Sequence, residues 1–176
     1  MIQHTYILDT NVYGELLIDI DREELTKKIR TNKSYFVYGI NVVEGELSKT
    51  PITIKYKGKP ARKLLIGLFE LLSDEILTVT PLTKHLAEDY FKRYKELAKS
   101  GKYKIIKEKY GEKSLRIDFQ IIAIASIKAI DVVVSSDTRT MLSQLARDVY
   151  AHINKINGLR TPELIEYKNF KEVYLK

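Results

Sequence analysis

The feature that most constrains this chain is a junction that occurs twice, in which a short apolar run ends in a carboxylate. Near the start, Tyr6-Ile7-Leu8 runs straight into Asp9-Thr10-Asn11, and far downstream Val132-Val133-Val134 runs into Ser135-Ser136-Asp137-Thr138. Each run, the first together with Met1 and Ile2, reads as a short buried strand that stops where Asp and Asn, poor strand formers, begin. In a parallel sheet such ends line up along one edge, and open α/β sheets bind ligands there. Taken alone, Asp9-Thr10-Asn11 is also good turn and N-cap chemistry. The functional reading therefore depends on how many further acids the fold brings to that edge.

Between the two junctions helical and strand patterns alternate. Helices are expected over 11–19 and 23–30, the second using Leu25 and Ile29, followed by a strand over 34–40. A helix over 42–49 carries Glu46 and is stopped by Thr50-Pro51. Residues 52–60 form a basic connection containing Gly and Pro. Residues 61–72 form a helix with Leu64, Leu65, Leu68, Phe69 and Leu72 on one face, and 76–79 a short strand. Thr80-Pro81 opens a helix that closes at Ser100-Gly101. In the helix expected over 114–129, Asp118 shares a face with Ile122 and Ala125, so it lies at the end of a core stripe and needs partners or a metal. A long helix from Met141 to near Gly158, a last short strand through Leu164, Ile165 and Tyr167, and a brief terminal helix complete the order. The alternation predicts an α/β sandwich on a mainly parallel sheet. The length fits a single domain, 1–176, with 52–116 as an enlarged helical and basic region.

The chain has no cysteine, which excludes disulfide scaffolds and thiolate zinc sites and leaves oxygen or imidazole to hold any metal. Carboxylates favour hard ions such as Mg2+ or Mn2+. No apolar run reaches the ~20 residues needed to span a bilayer, so a soluble, cytoplasmic protein without a membrane partner is expected. Residues 92–116 hold ten basic and three acidic residues, an excess equal to the net charge of +7 of the whole chain. Such a segment suits a polyanion, although a solvated helix face is the simpler reading of any charge run. Tyr90, Tyr94, Tyr103 and Tyr110 are interleaved with these cations and offer stacking surfaces for unpaired bases.

Asp9, Glu46, Asp118 and Asp137 are the four acids that one sheet edge could gather. Four negative charges in a cleft repel, and divalent cations relieve the repulsion. Here the sequence resembles the PIN-domain nucleases. The resemblance rests on the first strand with Asp9-Thr10-Asn11, on the stretch from Tyr38 through Glu44-Gly45-Glu46-Leu47, on Asp118 ahead of Ile121, Ala123 and Ala125, and on Val133-Val134-Ser135-Ser136-Asp137, in family order. It implies a three-layer α/β/α sandwich and Mg2+- or Mn2+-dependent endonucleolytic cleavage of RNA that leaves 5′-phosphate and 3′-hydroxyl ends. It further implies Asp9 as central ligand, Glu46, Asp118 and Asp137 as the rest of the acidic set, and Asn11 and Ser135 as auxiliary polar residues. Many members are toxins of VapBC-type modules and others process RNA, so an antitoxin partner and a homodimer are implied as well. Glu44 competes with Glu46; two residues apart, they cannot share a helix face, and Glu46-Leu47 is the better match to the family's Glu-Leu pair. A non-catalytic RNA-binding or scaffold protein on the same fold is the alternative. His4, His85 and His152 lack zinc-protease spacing, no glycine-rich phosphate loop is present, and Ser135-Ser136 lacks a nucleophile elbow.

Overall fold

The protein is described by a computed structural model over residues 3–103 and 112–174. Met1, Ile2 and the middle of the basic segment, Tyr110 included, lie outside the described residues. In chain order the elements are β1 (His4–Leu8), α1 (Thr10–Ile18), α2 (Arg22–Thr31), β2 (Tyr35–Ile40), α3 (Asn41–Leu47), β3 (Lys55–Tyr56), β4 (Lys59–Pro60), α4 (Ala61–Leu72) and β5 (Glu75–Leu77). They continue with α5 (Pro81–Lys99), α6 (Glu112–Ile127), β6 (Val132–Ser135), α7 (Gln144–Ile156), β7 (Glu163–Glu166), α8 (Tyr167–Asn169) and a wider-wound turn, Phe170–Tyr174.

Strands that are apolar at successive positions must be covered on both faces. Tyr6, Ile7, Leu8, Val132, Val133 and Val134 are accordingly all buried. They belong to the two inner strands of a five-stranded sheet of order β5-β2-β1-β6-β7, in which every neighbouring pair is parallel. The chain runs outward from β1 to β2 and β5, crosses back, and runs outward the other way through β6 and β7. Right-handed crossovers then put α1 to α4 on one face and α5 to α7 on the other. The contacts agree, since α1 packs with α2, α3 and α4, while α5 packs with α6 and α7. Strand order therefore reverses between β1 and β6, and a crevice opens beyond the carboxyl ends of those two strands.

Local chemistry fixes the pieces around this crevice. Ile40 delivers β2 directly into α3, and α4 returns across β2 so closely that a Cβ on Gly39 would lie 2.5 Å from Ser73 Oγ and 2.7 Å from the Phe69 ring. Thr80 caps α5 in a reciprocal arrangement with Thr83. At the opposite, amino-terminal edge of the sheet, Asp131 accepts hydrogen bonds from Thr5 N (2.9 Å) and Thr5 Oγ1 (2.8 Å) and pairs with Arg160 at 2.9 Å.

Several expectations shift. The long helix begins at Gln144, because Ser143 caps it there. The third strand is Glu75–Leu77 rather than 76–79, and Tyr167 starts the terminal helix instead of ending a strand. The connection over 52–60 is a small antiparallel hairpin, Lys55 opposite Pro60 and Tyr56 opposite Lys59. Tyr90 is not a surface for bases: it is fully buried, and its hydroxyl donates to Asn154 Oδ1 at 2.5 Å. Asn154 Nδ2 in turn reaches Ser126 Oγ and Thr161 Oγ1, both at 2.9 Å, so this network ties α5, α6, α7 and the approach to β7 together. Tyr94 packs on Phe119, and the Tyr103 hydroxyl donates to Asp148 at 2.6 Å.

Candidate active site at the switch point of the sheet

Parallel pairing of β1 with β6 sets Leu8 opposite Val134, and Asp9 N donates to Val134 O at 2.9 Å. The residue after one strand thus lies beside the last residue of the other, Asp9 beside Ser135. Asp9 caps α1 through Oδ1, which accepts from Thr10 N at 2.7 Å. Its Oδ2 accepts from Ser135 Oγ at 2.7 Å and Asn11 Nδ2 at 2.8 Å. Ser135 Oγ gives its one proton to Asp9 and accepts from Asp137 N (3.0 Å) and Asn11 Nδ2 (3.2 Å), while Asn11 Oδ1 accepts from Ser136 N at 2.9 Å. Donors and acceptors match throughout, so Asn11 and Ser135 hold the Asp9 carboxylate in one orientation.

The other acids arrive from three separate elements. Glu46, on the second turn of α3, accepts from Thr10 Oγ1 at 2.7 Å. Asp137, in the turn after β6, accepts from Arg139 N (3.0 Å) and Thr140 N (2.8 Å), an Asx-type turn that fixes its Oδ1. Asp118 extends from the buried face of α6, and its Oδ2 lies 2.9 Å from Thr140 Oγ1, which also contacts Asp137 Oδ2. The Thr140 hydroxyl has one proton and can donate to only one of these carboxyls at a time. Asp9, Glu46, Asp118 and Asp137, together with Thr10, Asn11, Glu15, Ser114, Ser136, Thr138 and Arg139, line one cleft of about 480 Å3. Glu44 does not line it.

The electrostatics follow from this crowding. Burial is the main force raising the Asp9 carboxyl to about 6; the bonds from Ser135 and Thr10 pull it down, and the charges of Glu46 and Asp137 push it up again. Burial likewise raises Asp118 well above the usual carboxylate range, with Asp9 the largest charge acting on it. A divalent cation would favour the charged form of both. The donors on offer are hard oxygens, which suit Mg2+ or Mn2+. Among the described residues, however, no three acids or imidazoles stand close enough together to hold a metal ion as they are placed. The carboxylates are held instead by hydroxyl, amide and backbone donors. The donor set fits a hard cation with room for retained water, which the open cleft provides.

Two threonines join the site without any signal in the sequence. Thr10 bridges to Glu46 across 36 residues and Thr140 to Asp118 across 22. Each sits near an acid that the sequence does single out, and only the tertiary register brings Thr10 into the lining of the cleft and Thr140 against two of its acids. A larger groove of about 880 Å3 lies between α2 and α4, away from these acids. No helix among the described residues is long and apolar enough to cross a membrane.

No protein-family model matches the sequence, and no curated protein matches it. Among solved structures, a chain of the crystal structure of VapBC2 from Rickettsia felis bound to a DNA fragment from their promoter is similar to this one. The TM-score is 0.52 and the identity 15%, over 92% of this chain and 98% of that one. At that identity the likeness is one of fold.

Proposed function

We propose that this protein is a metal-dependent endoribonuclease of PIN-like type, with its site in the cleft formed by Asp9, Glu46, Asp118 and Asp137. The observation that carries this reading is the convergence of four acids from the end of β1, α3, α6 and the turn after β6 on one cleft, two of them raised by burial and mutual repulsion. Order and context of the acids agree with the family resemblance of the sequence. The VapBC2 neighbour adds support at the level of fold, and its being a complex supports an antitoxin-like protein partner for this chain. A homodimer working on RNA in the cytoplasm completes the proposal.

Asp9, Glu46, Asp118 and Asp137 would hold Mg2+ or Mn2+. When bound, such an ion supplies Lewis-acid activation of water and neutralises charge developing on the phosphodiester. The chain's own residues do the positioning. Ser135 and Asn11 lock Asp9, Thr10 orients Glu46, and Thr140 sets the spacing of Asp118 and Asp137 by touching both. Ser114 and Arg139 also line the cleft.

The hydrogen-bonded state of the acids favours one second reading, a non-catalytic RNA-binding or scaffold protein whose cleft stays metal-free. Cleavage of single-stranded RNA in Mn2+ separates the two. The nuclease reading expects cleavage that is lost in Asp9→Asn while circular dichroism shows an intact fold. Full activity in the purified variant refutes it, and so does inactivity of the unaltered protein in every divalent cation.

A further inference from the structure

The chain's cationic surface is distributed differently from what its charge count implies. In the segment over 92–116, Arg93 pairs with Glu96 at 3.0 Å, Lys95 with Glu112 at 3.2 Å, and Arg116 with both Glu88 and Glu112. Arg116 and Lys95 also lie over the Phe91 ring, at 3.9 and 4.4 Å from its centre. Two of these cations, Lys95 and Arg116, thus join α5 to α6. Between Glu46 and Glu70, in contrast, there is no acidic residue at all, while Lys49, Lys55, Lys57, Lys59, Arg62 and Lys63 fall in the interval. None of these six forms an ion pair among the described residues. All but Arg62 are exposed.

This interval is built as an arm that follows α3 in the chain and reaches the groove between α2 and α4, which Lys59 and Lys63 line. Lys49 N bonds back to the carbonyl of Glu46, the cleft residue of α3, at 3.0 Å. The base of the arm is fastened by Arg62 Nε to Thr50 O (2.6 Å) and by Ala61 N to Ile54 O (2.8 Å). Its tip is the two-residue turn Lys57-Gly58, with φ of 47° and 78°. Positive φ at both positions favours Asn-Gly, and a lysine there holds a side chain in a backbone region that disfavours a Cβ. Turn stability does not explain that lysine, whereas presentation of a cation does. Just behind it Tyr56 lies against Arg22 and Lys57, whose charged groups are 6.0 and 5.5 Å from its ring centre.

We infer that the β3–β4 hairpin, with Lys55, Lys57 and Lys59, is an RNA-gripping arm that holds the phosphate backbone of a single strand beside the groove between α2 and α4, which Lys59 and Lys63 line, outside the acidic cleft. This rests on the nuclease reading above, because that reading is what supplies a single-stranded RNA for the arm to hold. Unpaired, exposed lysines release counterions when they meet phosphates, and this makes the contribution measurable as a salt dependence. Tyr56 is half-buried against the core with Arg22 and Lys57 at its ring, so the exposed lysines carry the contact.

The test measures binding of a fluorescent single-stranded RNA to the full chain by anisotropy in EDTA, across a salt series, with Mn2+-dependent cleavage assayed in parallel. The triple substitution Lys55→Glu, Lys57→Glu, Lys59→Glu is expected to weaken binding at least about tenfold and to flatten the log–log salt slope by about 2, from roughly 0.7 per lost phosphate contact. The corresponding Lys→Arg triple should bind as the unaltered chain does, which guards against a merely misfolded variant. An unchanged slope and affinity in the Glu triple, in a protein that still cleaves RNA, overturns the arm and leaves the nuclease reading standing. If the unaltered chain neither binds nor cleaves RNA, both fall. If it holds polyglutamate of matched charge as tightly as RNA, and the Glu triple loses both equally, the arm serves an acidic protein surface and the RNA assignment is overturned.

Discussion

The two edges of the central sheet use the same residue type to opposite ends. At the amino-terminal edge, Asp74 and Asp131 precede β5 and β6, and each is tied to a neighbouring strand and to an arginine. Asp74 accepts from Val37 N at 2.9 Å and pairs with Arg30 at 3.4 Å, while Asp131 is bonded by Thr5 and Arg160. Burial pushes the Asp131 carboxyl up, but the Thr5 bonds and the Arg160 guanidinium outweigh it and hold it below the usual range. At the carboxyl-terminal edge, Asp9 follows β1 and Asp137 follows β6, and acids face acids. There burial and the charges of Glu46 and Asp137 raise Asp9. An acid that holds strands together comes with a cation; an acid left among other acids creates a place for one. That difference singles out the carboxyl-terminal edge as the proposed site without reference to any relative.

Exchanging the chemistry of the two edges should separate stability from activity. The largest effect is expected for Asp9→Asn, a loss of about 10³-fold in Mn2+-dependent cleavage, or roughly 4 kcal/mol of transition-state stabilisation, with the fold retained. Asp131→Ala should do the reverse. It strands the Thr5 N–H and the Arg160 guanidinium, and urea denaturation should show a loss of about 2–3 kcal/mol, while activity per folded molecule is kept. Equal loss of activity in both variants would erase the distinction between the edges.

Acid titration sharpens the same contrast. Because Asp9 is raised in the fold, the folded protein holds a proton between the ordinary value of 3.8 and about 6 that the unfolded chain gives up. The metal-free protein should therefore lose stability as pH rises through that window, by roughly 3 kcal/mol. Asp131, lowered in the fold, has the opposite sign: its contribution is present above the unfolded value and is lost as pH falls through the lower folded one. Denaturation midpoints across pH 3–8 in EDTA, for the unaltered chain and Asp9→Asn, isolate the first effect, which the variant should lack. The smallest effect concerns the loop that delivers Asp131. Ala129 sits there at φ 53°, so Ala129→Gly should stabilise by about 0.5–1 kcal/mol, seen as a rise in melting temperature with unchanged cleavage.

Much of this contrast is legible in the order of the amino acids alone. Uninterrupted apolar runs at Tyr6-Ile7-Leu8 and Val132-Val133-Val134 need cover on both faces, which leaves few architectures, and acids directly after such runs can only fall on one edge. Asp118 stands out because a carboxylate in an apolar helical stripe demands a reason. Glu46 is preferred over Glu44 in the sequence only through the resemblance of Glu46-Leu47 to a family pair; its physical reason, the register of α3 against α1 seen in the Thr10 contact, needs the structure. Thr140 is invisible in the sequence for the same reason, its partners being set by tertiary packing rather than spacing. Tyr90 misleads because cations beside it in sequence lie on another face of α5, whereas Leu86, Tyr90 and Phe91 point inward. The hairpin reads as a plain connection because Lys57-Gly58 lacks the Asn-Gly signature of its turn. Its free cations are masked by a charge count that takes the ion-paired lysines and arginines of α5 and α6 at full value.

If the carboxyl-terminal edge is a seat for a divalent cation, calorimetric titration of Mn2+ into the metal-free protein at pH 7.5 shows it most directly. A saturable heat is expected in the unaltered chain, retained in Asp131→Asn and abolished in Asp9→Asn. No saturable heat in the unaltered chain, or the same heat in Asp9→Asn, would contradict it.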